Sequence, residues 1–358
     1  MTFQGLTERC VLTFLPLSHA LKKVLGGSCP ALEDAAVDRW VISPATKQHV
    51  LPARFLPHHL DRIRGAAFAP LRDVVKGLIG GFDVMQPATV GYRLKDVALV
   101  NGILYGSRAM KSLRGRSRWF PTYLRMTPSI TGVIFESWVG NRWFGNWLSD
   151  DCLTYHLAEV HGVPRQTRQT AYLHEPQYLT KLDMKPALVE NVHFNELILF
   201  DDGGQNAGKS QRAGEARRRL VASMPYAFPH PGVFILRGAS GEKRVLSNER
   251  DLAERFVSHY GFRIIDPSVS SVDEIVAACA GARVVAGVEG SHLVHGAAVM
   301  GPNATLFVIQ PADRVVSALK ILTDRQQQSY AFVIGEGHSR SFHVAWDDID
   351  RTMELVHK

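Results

Sequence analysis

The stretch that decides the fold is residues 262–309, FRIIDPSVSSVDEIVAACAGARVVAGVEGSHLVHGAAVMGPNATLFVI. Three short apolar runs in it have the length and composition of buried strands: residues 262–265, 282–288 and 305–309. Two segments with helical spacing separate them, and the first opens with the capping-box pattern Ser271-Val-Asp-Glu274. Strands that are apolar on both faces and joined by helices predict a parallel sheet that is covered on both sides.

The same alternation continues on either side of this stretch. We expect strands at 233–237 and 330–334 and helices at 248–260 and 314–322. The pattern predicts a doubly wound α/β domain over residues 216–335. A last helix, residues 347–356 within a C-terminal segment 336–358, is expected to pack back on the N-terminal domain.

The N-terminal half alternates less regularly and is predicted to form a separate α/β domain over residues 1–215. Its expected elements are strands at 97–105, 132–137, 170–174 and 196–200 and a helix at 147–161. The polar segment 201–219, which carries glycines and arginines, is predicted to be a linker that contains the domain boundary.

Composition excludes several classes of protein. The chain has 358 residues, 46% hydrophobic and 21% charged, so it is not disordered, collagen-like or a coiled coil. Its net charge of +7 fits an anionic ligand, an anionic membrane surface or nucleic acid without choosing among them. The four cysteines form no C-x-x-C pair, so we expect reduced thiols in a cytoplasmic protein and no zinc site. No run of about 20 apolar residues predicts a membrane span, and the interrupted apolar stretch 11–21 does not favour a secretion signal.

Candidate ligand-binding residues lie in the loops after the strands, because ligands of doubly wound sheets bind beyond the carboxyl ends of the strands. Arg237 and Arg244 bracket a glycine-containing loop before Asn248, and this pair could hold a diphosphate. A solvated loop with Asn248 as a helix cap fits the same residues equally well. The absence of G-x-G-x-x-G and G-x-x-x-x-G-K-[ST] patterns disfavours an ordinary dinucleotide fold and a P-loop ATPase.

A second loop, residues 287–296, joins a strand directly to a helix. Small residues there let a ligand approach the backbone: Gly287, Gly290 and Ser291. His292 could donate to a phosphate, whereas His295 is predicted to pack internally. Glu289 is predicted to be functional, as an acceptor for a sugar hydroxyl or as a base, because a carboxylate that ends an apolar strand is costly unless it is paired or lies in a cleft.

Acidic residues at two helix starts are further candidates. In residues 143–151, WFGNWLSDD, either Asp150 or Asp151 could be a general base in an interdomain cleft, and helix capping is an equal alternative. The aromatic cluster of this segment could stack on a sugar, but core packing is the commoner role of such spacing. The single D-x-D pattern, Asp348-Ile-Asp350, is better explained as charge at a helix start than as a metal–nucleotide site.

Residues 234–311 resemble the core of glycosyltransferase family 61, in its bacterial branch linked to capsular and other surface polysaccharides. The resemblance is carried by spaced elements: Arg237 at a strand end, Arg244 before Asn248-Glu249, the strand between Gly261 and Pro267, and the junction 287–296. Residues 143–153, WFGNWLSDDCL, resemble the family's upstream aromatic–His–Trp–Leu–x–Asp element through Trp147, Leu148 and Asp150. The chain departs from the family at two places, with Glu289-Gly290-Ser291 where His-Gly-Ala is frequent and Asn146 where the upstream histidine stands.

The resemblance implies a GT-B fold, with two Rossmann-like α/β domains facing across a cleft. It implies inverting transfer of a hexosyl or pentosyl group from a nucleotide sugar, expected to be UDP-linked, to an oligosaccharide or lipid-linked saccharide. The resemblance implies no metal and no other cofactor. The expected location is the cytoplasm, including the inner face of the membrane. Catalytic candidates are Asp150, Asp151 and Glu289; donor-binding candidates are Arg237, Arg244, Asn248, Gly287, Gly290, Ser291 and His292; acceptor or sugar contacts are Asn146 and Trp147.

Two other functions compete with this one. A catalytically inert nucleotide- or carbohydrate-binding subunit is the alternative, since family histidines are replaced. Nucleic-acid binding through the basic runs 111–118 and 212–219 is not expected, because no recognised nucleic-acid module accompanies them.

Overall fold

The computed structural model describes residues 10–115, 125–168, 171–222, 224, 228–238 and 244–357. The strands are β1 (Cys10–Thr13), β2 (Asp38–Ser43), β3 (Thr46–Val50), β4 (Phe82–Gln86), β5 (Thr89–Val100), β6 (Ile103–Tyr105), β7 (Met110–Ser112), β8 (Arg125–Ile134), β9 (Pro164–Gln166), β10 (Ala187–Leu188), β11 (Val192–Asp201), β12 (His230–Ile235), β13 (Arg263–Ile265), β14 (Ala282–Val288), β15 (Thr305–Pro311), β16 (Ser329–His338) and β17 (Ser341–His343). The α-helices are α1 (Leu15–Val24), α2 (Leu71–Ile79), α3 (Phe144–Asn146), α4 (Cys152–Ala158), α5 (Glu175–Lys181), α6 (Ala207–Val221), α7 (Glu249–Tyr260), α8 (Val272–Cys279), α9 (Leu293–Ala297), α10 (Ala318–Arg325) and α11 (Trp346–His357). Short 3-10 turns cover Leu32–Ala35, Pro57–Arg62 and Glu159–His161, and a π-helical turn covers Trp147–Asp151.

The chain divides into two compact α/β units. The first unit contains the described residues up to Pro44 and those from Ala88 to Gly204. The second contains Ala45–Pro87 and the described residues from Gln205 onward. Residues 45–87, expected in the N-terminal domain, therefore fold with the C-terminal half, where the backbone of Arg54 hydrogen-bonds to Tyr330 and Phe332 of β16.

The second unit is built on the predicted parallel sheet. Its strand order is β13-β12-β14-β15-β16-β17, in which every pair up to β16 is parallel and β17 is antiparallel. Phe234, Phe256 and Phe307 are fully buried in its core. The sequence pattern succeeded here because strands that are apolar on both faces need helices on both sides of the sheet.

Local signals define the helices of this unit. The capping box predicted at Ser271 is present, with the Ser271 hydroxyl accepting from the Glu274 N–H and the Glu274 carboxylate accepting from Ser271.

Helix α11 was expected on the N-terminal domain, but its Ile349 and Met353 belong to the core of the second unit's sheet. The apolar face of α11 therefore packs on the second unit, and the expectation that this helix packs on the N-terminal domain is wrong.

The first unit is built on a mixed sheet, not an all-parallel one. The strand order is β10-β9-β8-β11-β5-β6-β7, with β1 on β8 and β2 on β5. Strand β5 is antiparallel to β2, β6 and β11. The segment 97–105, expected to be one strand, is a hairpin because Asn101 and Gly102 both adopt positive φ angles, 52° and 77°. This topology differs from the Rossmann-like sheet expected for the N-terminal half.

Two further expectations for this region are corrected. The predicted linker 201–219 contains α6, which begins after Asn206, whose side chain accepts from the Lys209 N–H as a helix cap. Ala213, Ala216 and Leu220 form its buried face, so the expected boundary near residue 215 falls inside a packed helix. Residues 171–174, within the expected strand 170–174, form a turn before α5.

No helix in the described part of the chain is both long and apolar enough to cross a membrane. Cys29, Cys152 and Cys279 are free cysteines, and Cys152 and Cys279 are buried. The Cys10 side chain lies outside the described residues.

Candidate functional site

Three arginines surround Glu289 at the carboxyl edge of the parallel sheet. Glu289 follows β14, and its Oε2 lies 3.0 Å from Arg244 Nη1 and 3.6 Å from Arg314 Nη1. Arg237, two residues beyond β12, donates from Nη1 to the backbone carbonyl of Glu289 at 3.4 Å. We call these four residues the arginine cluster. The structure thus brings together the two arginines and the carboxylate that the sequence singled out, and it adds Arg314.

Gly290 allows this convergence. A Cβ atom at Gly290 would lie 2.1 Å from Arg237 Nη1, so no other residue leaves room for the guanidinium. Arg237 is only 8% exposed. Burial, followed by the neighbouring charge of Arg244, lowers the pKa of Arg237 to about 10, so it remains a cation at neutral pH.

The imidazole of His292 is neutral at this site and can donate or accept a hydrogen bond. Burial and the nearby charge of Arg237 lower its pKa well below the usual value for histidine. Among the described residues, its Nε2 atom is buried and has no hydrogen-bond partner. A buried polar atom without a partner is costly, and a ligand that supplies one would offset that cost.

The Asn248-Glu249 pair has a different role from the one expected. The Asn248 side-chain amide donates to the carbonyl of Val344 at 2.8 Å and accepts from its N–H at 3.4 Å. It makes no helix-capping hydrogen bond, so the capping expectation is corrected. The Glu249 carboxylate accepts from the N–H groups of Arg237 and Gly238 at 2.8 and 2.9 Å. This residue therefore holds the backbone that carries Arg237.

Gly287 and Ser291, two other small residues of the 287–296 junction, have backbone hydrogen-bond partners within the fold. Gly287 is a buried strand residue paired with Ile235 on one side and Val308 on the other. The carbonyl of Ser291 accepts from the Val294 N–H at the start of α9, which has only five residues. His295 is buried, as predicted.

In the first unit, the segment 143–153 forms a helix interrupted by a π-helical turn. Helix α3, the turn Trp147–Asp151 and α4 follow one another without a break. Asp150 is partly exposed, and its Oδ2 accepts from Asn146 Nδ2 at 3.2 Å and from Ser149 Oγ at 3.1 Å. π-helical turns inside helices are frequent at functional sites. Asn146 is thus a positioning partner of Asp150.

Two other candidates of this segment are part of the protein interior. Asp151 is 2% exposed and accepts from the N–H and hydroxyl of Ser137 at 3.1 and 2.7 Å. Burial raises its pKa well above the usual value for aspartate. Trp147 is 1% exposed and packs against Phe144 and Tyr178. The expected catalytic role of Asp151 and the expected sugar contact of Trp147 are both corrected, since neither side chain reaches solvent.

Arg314 was missed because a helix was predicted over residues 314–322. The helix begins at Ala318, so Arg314 lies in the loop directly after β15. Its place relative to β15 is similar to that of Arg237 relative to β12. A search for arginines just beyond each predicted strand would have found it.

One group of potential metal ligands occurs among the described residues. His58, His59 and Asp348 bring ligand atoms within 4.8 Å of one another. However, Arg62 donates to Asp348 Oδ2 at 2.6 Å, and the Ile334 N–H donates to His59 Nδ1 at 3.3 Å. The neutral ring then carries its proton on Nε2, which faces Asp348 Oδ1 at 3.3 Å. This arrangement suits an ion-pair network and not a metal ion.

The D-x-D pattern falls in the same region and does not form a site. Although burial opposes ionisation, hydrogen bonds from Arg62 and His59 lower the pKa of Asp348. Asp350 instead accepts from the Tyr260 hydroxyl. The two carboxylates therefore serve different structural partners, and Asp348 lies in the first turn of α11, as predicted.

Comparisons with known proteins agree with the residue pattern. A search of curated proteins by sequence gave no match. A sequence model of the family Glycosyltransferase 61 matches residues 82–307, which is more than half of the chain. The match includes the segment around Asp150 and three members of the arginine cluster, and it ends before Arg314. This chain therefore belongs to glycosyltransferase family 61, and the activity that this membership implies is glycosyl transfer.

Proposed function

We propose that the protein is an inverting glycosyltransferase whose arginine cluster binds the diphosphate of a nucleotide-sugar donor. The observation that carries this proposal is the convergence of three guanidinium groups on Glu289 at the carboxyl edge of the parallel sheet. Ligands of doubly wound sheets bind at this edge. Guanidinium groups match the oxygens of phosphate in geometry and charge.

The charge balance of the cluster favours an anion. Three guanidinium groups surround Glu289, and the nearby Glu249 carboxylate is engaged by the backbone N–H groups of Arg237 and Gly238. As the bond between the anomeric carbon and the diphosphate breaks, negative charge grows on the departing oxygen. Preorganised arginines stabilise that charge, which is the work a metal ion does in other transferases. We therefore propose transfer without a bound metal or other cofactor.

Asp150 is the better candidate for the general base. It is partly exposed, and two neutral donors hold its carboxylate in one orientation. Glu289, the other candidate, already holds two arginines, so its negative charge is committed to positioning them. In the proposed step an acceptor hydroxyl oxygen attacks the anomeric carbon, its proton passes to Asp150, and the nucleoside diphosphate leaves from the opposite face.

The wider context is proposed on the same basis. We propose a GT-B type of enzyme, in which one domain binds the donor and the other the acceptor. The division into two α/β units fits this type, whereas the mixed sheet of the first unit departs from the Rossmann-like sheet of that fold. We propose a UDP-linked donor and an oligosaccharide or lipid-linked acceptor in surface polysaccharide biosynthesis. A cytoplasmic location at the inner face of the membrane would suit such an acceptor, and the net charge of +7 would suit its anionic lipids.

Neither alternative function is favoured. Family membership implies transfer, which argues against an inert binding subunit. The basic run of α6 is engaged within the protein: Arg217 donates to the carbonyls of Val299 and Met300, and Arg218 and Arg219 pair with Glu215. In addition, no recognised nucleic-acid module accompanies this basic run.

Calorimetric titration with UDP, CDP, ADP and GDP tests the proposal. We expect Arg244→Ala to weaken binding of the preferred nucleotide by about tenfold to 100-fold, because a charge-assisted hydrogen bond is lost. Arg250→Ala is the matched control, since the Arg250 side chain is 80% exposed and its Nε lies 3.7 Å from Glu254 Oε1 on the same helix. Equal binding by both variants and wild type would refute the assignment of the diphosphate site.

A further inference from the structure

The arginine cluster has an aromatic neighbour that the proposed mechanism does not use. Phe68 is 67% exposed. Its backbone adopts a φ angle of +71°, in the left-handed region that bulky residues avoid. An exposed aromatic side chain held in a strained backbone conformation is a pattern that occurs at ligand-binding positions.

The backbone around Phe68 is fixed to the carboxyl edge of the sheet. The N–H of Arg64 donates to the Ala312 carbonyl at 2.7 Å, and the N–H of Ala67 donates to the Val315 carbonyl at 3.1 Å. Val315 in turn donates to the Gly65 carbonyl at 3.0 Å. A Cβ atom at Gly65 would lie 2.6 Å from the carbonyl oxygen of Asp313, so glycine permits this close pairing. The segment before Phe68 is thus paired with the loop that follows β15.

This pairing places the ring beside the arginine cluster. The guanidinium carbon of Arg314 lies 5.2 Å from the centroid of the Phe68 ring, within the range of a cation–π contact. The same guanidinium reaches Glu289 Oε2 at 3.6 Å, and Arg244 reaches that oxygen at 3.0 Å. One continuous set of contacts therefore runs from an exposed aromatic ring to the proposed diphosphate site.

We infer that Phe68 is a stacking platform for the base of the donor nucleotide, an inference that rests on the proposed function. A nucleoside diphosphate carries a planar aromatic base and an anionic diphosphate on one ribose. The aromatic ring and the guanidinium groups offer the two complementary chemistries side by side. Stacking tolerates any base, because every base presents a π-face. Arg314 serves both parts, since it supports the ring and faces the anionic group.

The test compares a nucleotide with inorganic pyrophosphate, which has the diphosphate charge but no base. Both are titrated into the full chain, with UDP or whichever of CDP, ADP and GDP wild type binds more tightly. Pyrophosphate is measured directly or, where weak, by displacement of the nucleotide. We expect Phe68→Ala to weaken nucleotide binding by about tenfold and to leave pyrophosphate binding unchanged. Phe68→Tyr should retain nucleotide binding.

Phe228→Ala is the matched control, because Phe228 is an exposed phenylalanine two residues before β12, at the opposite end of that strand from Arg237. Unchanged nucleotide binding by Phe68→Ala would overturn the inference while leaving the proposed function intact. Equal weakening of nucleotide and pyrophosphate would also overturn it, since the ring would then act only by positioning Arg314. If wild type bound none of the nucleotides and no pyrophosphate, the proposed function and this inference would both fail.

Discussion

The two candidate regions of the molecule use their polar residues in opposite ways. In the second unit, charged side chains from separate loops converge on Glu289. In the first unit, the residues of one continuous segment diverge, so that Trp147 and Asp151 enter the interior and Asp150 remains partly exposed. Charged side chains from distant loops meet at one place in the second unit, whereas the single segment of the first unit leaves one carboxylate, that of Asp150, partly exposed.

The largest effect is expected at Asp150. If Asp150 is the base, Asp150→Asn should lower turnover by roughly 100- to 10,000-fold, since general-base catalysis contributes that much. Nucleotide affinity, measured by titration calorimetry, should stay as in wild type. Retention of more than a tenth of wild-type turnover would remove Asp150 from the mechanism and leave the first unit without an assigned catalytic group.

Trp147 should instead affect folding. Because its ring is buried among other aromatic side chains, Trp147→Ala should lower the free energy of unfolding by roughly 3–5 kcal/mol, measured by chemical denaturation. Trp138→Ala is the control, as that side chain is 41% exposed and should change stability little. A stable Trp147→Ala variant with weakened acceptor binding would restore the sugar-contact role.

Substitution of Arg314 tests the extent of the arginine cluster in the second unit. It lies beyond the part of the chain that matches the family, yet its Nη1 is 3.6 Å from Glu289 Oε2. We expect Arg314→Ala to weaken nucleotide binding by about tenfold, as expected for a lost charge-assisted contact, without a change in stability of the first unit. Arg250→Ala again serves as the control in the same titration. Wild-type affinity in the Arg314 variant would restrict the site to Arg237 and Arg244.

The smallest effect is a pH dependence of stability due to Asp151. Its folded-state pKa is raised by burial, so the neutral form favours the folded state. This contribution is fully present below the unfolded pKa near 3.8 and is lost as pH rises through the raised folded value. Asp151→Asn should therefore gain stability relative to wild type as pH rises, in urea unfolding at a series of pH values. A stability difference between Asp151→Asn and wild type that does not change with pH would contradict the assignment.

Sequence patterns predicted the features that depend on neighbouring residues. The parallel sheet of the second unit and the Ser271 capping box follow from local apolar periodicity and side-chain spacing. The hairpin at Asn101-Gly102 had an equally local signal, since that dipeptide favours the turn that joins antiparallel strands. The apolar residues on both sides of the dipeptide instead favour one continuous strand.

Features that depend on distant residues were not predictable in this way. Helix α6 has a low overall hydrophobicity, and only its packing shows that Ala213, Ala216 and Leu220 form a buried face. The contact of Phe68 with Arg314 joins residues that are far apart in sequence. The role of Asn248 likewise depends on Val344, which lies almost 100 residues away. Such contacts arise from tertiary packing, about which local periodicity carries no information.

Hydrogen exchange with and without the preferred nucleoside diphosphate is the most direct test of whether the arginine cluster binds the diphosphate of the donor. We expect slower exchange at the backbone amides around Arg237, at residues 289–293 and after β15, because the ligand orders the arginine cluster. No change is expected in the helix that carries Asp150. Protection confined to the first unit, or absent from the arginine cluster while the nucleotide is bound, would show that the diphosphate binds elsewhere.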